Sequence, residues 1–317
     1  GIPSLPIAPR NSGDLLSVIK VAQAMRSSPF DVVHGHFSRD YVPLLIAARL
    51  AHKAAVFTRH NFFPLSPLTM RAMAGADRML AVSDAHQKIM VEEHGLSPDL
   101  VTRIYPWVDL EELLPLNAPR QALPVLGMDA DAFVFGMVSR LEPIKRIETF
   151  IHAAARVKQT HPEVRYVLVG QGPLRTELEE LVSTLGLQGE FIFTGFVEDI
   201  NAVFREFSAF VSTGDREPFP YVTLEAMAFG MPVIGARAGG TVEIIRDCET
   251  GFLVAPGDDK ELAQAMLKLV ENSDCTRSMG DAGRSRTAQS FSADRAITGL
   301  EGVYWEAISK RSTRAKR

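Results

Sequence analysis

The sequence predicts two doubly wound α/β domains in tandem, and three observations predict it. Strand and helix signals alternate along most of the 317 residues. The strand segments are short, β-branched and apolar on both faces, as in parallel sheets covered by helices on either side. The alternation stops once, at a stretch rich in Pro, Leu and Asn (106–124), and then restarts. A chain this long also exceeds what one core usually serves. In such sheets ligands bind outside the carboxyl ends of the strands.

In the first half, a helix over 14–27 leads to strand 31–35, helix 40–51 and strand 55–59. Helix 67–75, strand 78–83, helix 84–94 and strand 100–105 follow. After the connection come strand 132–139, helix 145–160, strand 165–170, helix 173–186, strand 190–195, helix 199–206 and strand 209–213. A helix beginning near Val222 ends at Gly230, where Pro232 prevents its continuation and strand PVIGAR begins. A helix after Gly240, strand GFLVAP and amphipathic helices over 259–272 and 276–289 complete this half. The domain boundaries are therefore set at 1–118 and 119–293, with a last helix and basic tail over 294–317.

Hydrophobic content of 46% with 23% charge is ordinary for a soluble globular protein, and a net charge of −4 gives no reason to invoke nucleic acid. The longest apolar segment, 41–51, contains Arg49 and is too short to span a bilayer. Cys248 and Cys275 stand outside any CxxC pattern and read as free thiols of a reducing cytosol. No signal-peptide pattern opens the chain at Gly1. The tail KRSTRAKR (310–317) reads as a solvated disordered end, with contact to an anionic surface as the weaker alternative.

Several motifs invite chemistry. GQGPLRTEL (170–178) joins a strand to a helix, but Arg175 stands where a dinucleotide fingerprint needs its third glycine, and no acidic residue ends the next strand. SRLEPIKRIETF (139–150) sets Arg140 and Lys145 at a strand's carboxyl end. Two cations there suit a diphosphate, the alternative being a solvated basic loop. DREPFPYVTLEAMAFGMPV (215–233) holds Glu217 in a proline-bracketed loop and Glu225 on the first turn of the next helix. That helix start offers backbone N–H groups to an anion; Glu225 suits a ribose diol and Glu217 a hexose. AGGTVEII (238–245) is a second glycine-rich helix start, explained equally by packing. DAD (129–131) resembles a metal-holding D-x-D but lies in a connection and is read as accidental. His34, His36 and His60 gather at one rim; no carboxylate or cysteine completes a zinc set, so a polar cleft with His60 near a reacting sugar is preferred.

Taken in order and spacing, SRLEPIK, VLVGQGPLRTELEEL, FTGFVEDI, EPFPYVTLEAMAFGMPVIGARAGGTVEII and TGFLVAPGD resemble the family 4 glycosyltransferases of the GT-B fold. The likeness is strong over 132–272 and looser over 31–105, through DVVHGH, TRHN and AVSDAHQKIM. It implies two Rossmann-like domains facing a cleft, the first on the acceptor side and the second binding the nucleotide sugar. The final helix then crosses back to the first domain. It also implies metal-independent transfer of a hexose, with retained configuration and no cofactor, to a glycan or lipid-linked acceptor. The implied setting is the cytoplasm, with peripheral contact at the inner membrane. Arg140 and Lys145 match the cations on the donor diphosphate, Glu217 the glutamate near the transferred sugar, and Glu225 the one on the ribose. Backbone amides of Val222, Thr223 and Leu224 cover the phosphates, His60 matches the histidine near the sugar, and the donor contacts extend to Gly170, Phe196, Val197 and Tyr221. An epimerase of the same fold and a nucleotide-binding module without turnover are the alternatives.

Two departures stand out. The family usually has glycine where this chain has Pro220, which donates no N–H. Its first domain also opens with a strand, a glycine-rich turn and a helix that do not appear before Gly1. The expectation is therefore an N-terminal truncation of at least one βαβ unit, roughly 30 residues.

Overall fold

The structure, a computed structural model, describes residues 15–110 and 131–315. They form two compact units, one built from the chain up to Pro106 together with the segment from Asp294 onward, the other from Trp107–Ala293. The expected boundary at 118/119, most of the 106–124 connection and the DAD stretch lie outside the described residues.

The first unit runs α1 (Leu15–Arg26), β1 (Val32–Gly35), α2 (Tyr41–Leu50), β2 (Ala54–Arg59), α3 (Pro67–Gly75), β3 (Arg78–Ala81), α4 (Asp84–Glu92) and β4 (Val101–Arg103). Its four strands pair in parallel in chain order. Every residue of β2 is buried, as a central strand covered on both faces requires. Helix starts follow local chemistry: Ser66 accepts from the Thr69 N–H with Pro67 next in line, and Ser83 accepts from the His86 N–H.

The second unit runs β5 (Val134–Val138), α5 (Ile147–Val157), β6 (Arg165–Val169), α6 (Arg175–Thr184), β7 (Phe191–Gly195), α7 (Ile200–Phe204), β8 (Ala209–Ser212), α8 (Tyr221–Ala228), β9 (Val233–Ala236), α9 (Thr241–Ile244), β10 (Gly251–Val254), α10 (Asp259–Glu271) and α11 (Ser273–Ser290). The six parallel strands lie in the order β10-β9-β8-β5-β6-β7. That order reverses between β5 and β8, so the topological switch point lies at their carboxyl ends. Helix α8 ends as its sequence foretells. Gly230 takes φ +77, its N–H reaches Met227 O, and the Met231 N–H reaches Ala226 O, closing a Schellman turn before Pro232.

Three expectations need correction. Helix 145–160 does not begin at Lys145, because a 3₁₀ turn over Pro143–Lys145 and a left-handed Arg146 precede α5. The helix predicted from 276 begins three residues earlier, since the Asn272 side chain caps it by accepting from the Cys275 N–H. Residues 310–315 are not a disordered end. They continue α12 (Ala293–Ala315), with Lys310 Nζ donating to Asp77 O and Arg311 Nη2 to Arg49 O. No helix among the described residues is long and apolar enough to cross a membrane.

Candidate functional site

Two loops leave the carboxyl ends that flank the switch point, 139–146 after β5 and 213–220 after β8. They meet through charge. Lys145 Nζ lies 2.7 Å from Glu217 Oε2, and both side chains are largely shielded, at 17% and 16% exposure. Arg146 Nε donates to Asp215 Oδ2 at 2.5 Å, and Thr213 Oγ1 donates to Lys145 O at 2.6 Å. Arg140 shares the first loop but not this contact, since its guanidinium pairs with Glu142 at 2.8 Å and its side chain is 68% exposed.

Glycines create the seat for Glu217. A Cβ on Gly214 would lie 2.3 Å from Glu217 Oε1, so a larger residue there would push the carboxylate out of this position. Behind it, Gly239 at φ +52 lets the AGG turn approach, where a Cβ would sit 2.2 Å from Glu217 O. The Gly240 N–H then donates to Glu217 O at 3.0 Å. The AGG stretch is thus the support of the EPFP loop. The GQG glycines are explained in the same way. Gly170 carries φ +133 where a Cβ would meet Ser139 O at 1.9 Å, and the Leu141 N–H donates to Gln171 O. They let the turn after β6 cross the loop that bears Arg140.

Helix α8 starts beside these loops, with Pro220 as its N-cap. The Thr223 N–H closes onto Pro220 O at 3.0 Å and is spent inside the turn. Leu224 sits one residue deeper in the helix. Tyr221 and Val222, as the first two helical residues, carry N–H groups for which the helix supplies no acceptor. The Tyr221 hydroxyl donates to Trp107 O. Glu225 is half-buried, and among the described residues its carboxylate has no hydrogen-bond or ion-pair partner. Burial pushes its pKa above the ordinary 4.5. Phe196, just past β7, is exposed. Val197 helps line an apolar cavity of about 290 Å³ between β6, β7 and α7, with Val167, Thr194, Val203 and Phe207.

In the first unit the three histidines do gather. His36 Nδ1 and His60 Nε2 lie 3.1 Å apart, and the His34 and His36 rings are 4.2 Å apart. His34 spends both nitrogens, on the Tyr304 hydroxyl at 2.7 Å and Thr58 Oγ1 at 2.6 Å. A zinc set drawn from all three is therefore not assembled. Burial is the main cause that lowers all three pKa values, taking His34 to about 4. The loop that His60 opens is held by buried Arg59, whose Nε donates to Asn61 O and Nη2 to Phe63 O.

Sequence reasoning missed Arg146, Asp215 and Gly214, and left the AGG glycines open. The signal was a basic pair, 145–146, facing alternate residues 213, 215 and 217 of an extended loop.

Comparison with known proteins bears on this geometry. Residues 121–286 match the glycosyl transferases group 1 family, and residues 1–112 match glycosyltransferase family 4. A D-inositol 3-phosphate glycosyltransferase of Stackebrandtia nassauensis is 28% identical over 355 aligned residues, covering 100% of this chain and 79% of the relative. Among solved structures, Anabaena HepE in complex with UDP superposes with a TM-score of 0.82 at 28% identity, covering 93% of this chain and 84% of that one. The same protein with UDP-glucose gives a TM-score of 0.78 at 28% identity, covering 94% and 82%. The isolated C-terminal domain of a group 1 glycosyl transferase (LpcC) from Francisella tularensis gives 0.54 at 26% identity, covering 59% of this chain and 99% of that one.

Proposed function

Because the chain belongs to the family 4 glycosyltransferases of the GT-B fold, we propose that it moves a hexose from a nucleotide-diphosphate sugar to a glycan or lipid-linked acceptor. Transfer retains anomeric configuration and needs no metal. The observation that carries this reading is the Lys145–Glu217 pair at the switch point of the second sheet. Complexes of HepE with UDP and UDP-glucose support a nucleotide-sugar donor.

Donor binding exchanges partners within the site. The diphosphate takes the Lys145 ammonium, and the outward N–H groups of Tyr221 and Val222 add the partial positive charge of a helix start. Arg140, on its exposed arm, is free of the tight pair and closes on the same phosphates with a planar fork. Glu217, released from Lys145, accepts a hexose hydroxyl, while Glu225 accepts from the ribose diol. Phe196 offers a ring face to the base, with Val197 and Gly170 behind it. As the glycosidic bond breaks, negative charge gathers on the leaving diphosphate, and fixed cations stabilise it more than they do the ground state. The acceptor hydroxyl attacks from the leaving group's own face. His60 contributes a hydrogen bond to the sugar, an assignment that rests on the family likeness. A lipid-linked acceptor brings the enzyme to the cytoplasmic surface of the inner membrane.

The test is a mass-spectrometric screen of UDP-glucose, GDP-mannose and ADP-glucose with and without glycan acceptors. Glu217→Gln and Lys145→Ala should each lower turnover about 100-fold or more with thermal stability retained. Undiminished turnover in either variant rejects the assignment, and stereochemical exchange of the donor without acceptor identifies an epimerase instead.

A further inference from the structure

We propose that Arg146 and Asp215 are positioning residues. Their ion pair ties the loop bearing Lys145 to the loop bearing Glu217, and the left-handed backbone at Arg146 is strain retained for that purpose. The inference rests on the reading of Lys145 and Glu217 as donor-site residues.

Arg146 sits at φ +47, ψ +46, a region that glycine enters freely and a long side chain does not. The conformation does two things. The Arg146 N–H closes the 3₁₀ turn onto Pro143 O while its carbonyl accepts from the Thr149 N–H, so the chain passes from turn to α5 without a break. It also lets consecutive side chains reach one neighbour. In regular helix or strand the side chains of residues i and i+1 diverge widely, yet Lys145 pairs with Glu217 and Arg146 with Asp215. With the Thr213 hydroxyl on Lys145 O, residues 213, 215 and 217 all face the 145–146 turn.

Stability does not account for the arrangement. The Arg146 side chain is 42% exposed, and an ion pair with so open a partner adds little net stability. Backbone strain at the same residue works against even that. Glycine at this position would relieve the strain and keep the turn. What glycine cannot supply is the second ion pair. Without it the loops keep the Thr213 hydroxyl on Lys145 O, but the side chains of Lys145 and Glu217 are held only by their own contact, which donor binding is proposed to break.

The full chain is tested as Arg146→Asn, which tolerates the left-handed region without the charge, as Arg146→Gly, and as Asp215→Asn. Three quantities are measured: melting temperature, hydrogen exchange of peptides covering 213–220, and kcat/KM for whichever donor of the screen the wild type uses. The expected result is an unchanged or higher melting temperature for Arg146→Gly and faster exchange over 213–220 in both Arg146 variants. With these goes a fall in kcat/KM of about tenfold. Arg146→Asn combined with Asp215→Asn should fall no further than either alone. Unchanged exchange over 213–220 overturns the proposal, as does a loss of kcat/KM that tracks a loss of melting temperature in both Arg146 variants. If the wild type uses no donor, the functional reading falls, while the exchange data still decide whether the two loops are tied.

Discussion

Glu225 shows how much a single position can carry. Its place on the helix was readable from spacing, but it falls in the second turn rather than the expected first, because α8 begins at Tyr221. Its environment was not readable, because burial depends on what packs around α8. Half-buried and without an ion-pair or hydrogen-bond partner among the described residues, it has its pKa raised by desolvation. The folded state therefore holds the proton more tightly than the unfolded state. Its stabilising contribution is complete below the ordinary value of 4.5 and is lost as pH rises through the higher folded value. In Glu225→Gln this slope should vanish, so that the variant gains melting temperature relative to wild type between acid and neutral pH. Calorimetry across that range reads the difference, and a constant offset at every pH contradicts it. Nucleotide-sugar affinity should move the other way, rising with pH over the same window, because the ionised carboxylate is the better acceptor for a diol. Lys145 teaches a different lesson: its position was legible, whereas its pairing with Glu217 depends on the notch at Gly214, which no periodicity reveals.

At the scale of elements, the sequence was most informative where local rules act without competition. The caps at Ser66, Ser83 and Asp258 and the Schellman turn at Gly230 each start or stop a helix near where the residues say. It was least informative over 143–146, where a 3₁₀ turn passes into α5 through an arginine in a left-handed conformation that its own propensity disfavours. The histidines at the carboxyl ends of β1 and β2 were legible as a group, whereas His86 on α4 was not, and only packing sets the ionisation of either. Burial is the largest cause that takes His86 down to about 3, with Arg59, His60 and His94 adding to it, and His34 lies at about 4. A lowered pKa means the unfolded state binds more protons, so this stability is present above 6.5 and is lost as pH falls towards the lowered values. The first unit should accordingly melt earlier as pH drops from 6.5 to about 4, the second unit being less affected. His86→Leu should flatten that dependence, at the cost of about 1 kcal/mol at neutral pH from altered packing. Scanning calorimetry of both proteins at several pH values checks this, and parallel acid profiles would contradict it.

The whole chain is organised around an asymmetry that pattern reading leaves open. Helix α12 has a buried stripe, but amphipathicity alone does not say which unit buries it. In the structure Val303 and Ala307 pack with Ala54, Val56 and Leu80 of the first unit, the Tyr304 hydroxyl meets His34, and Glu306 pairs with Arg78 at 2.9 Å. The first unit is therefore discontinuous in sequence, and the second is a single uninterrupted segment. The two should depend differently on the chain's last residues. A fragment spanning 107–293 should fold alone, consistent with the solution of a group 1 C-terminal domain from Francisella as a separate molecule. Under the proposed function it should also bind the donor nucleotide. Ala307→Glu, which sets an unpaired carboxylate at a fully buried position, should cost the first unit about 3 kcal/mol or more. In the full chain the calorimetric transition of the first unit should then fall by several degrees while that of the second holds. A fragment without cooperative unfolding, or a variant in which both transitions fall together, would show instead that the two units are one thermodynamic body.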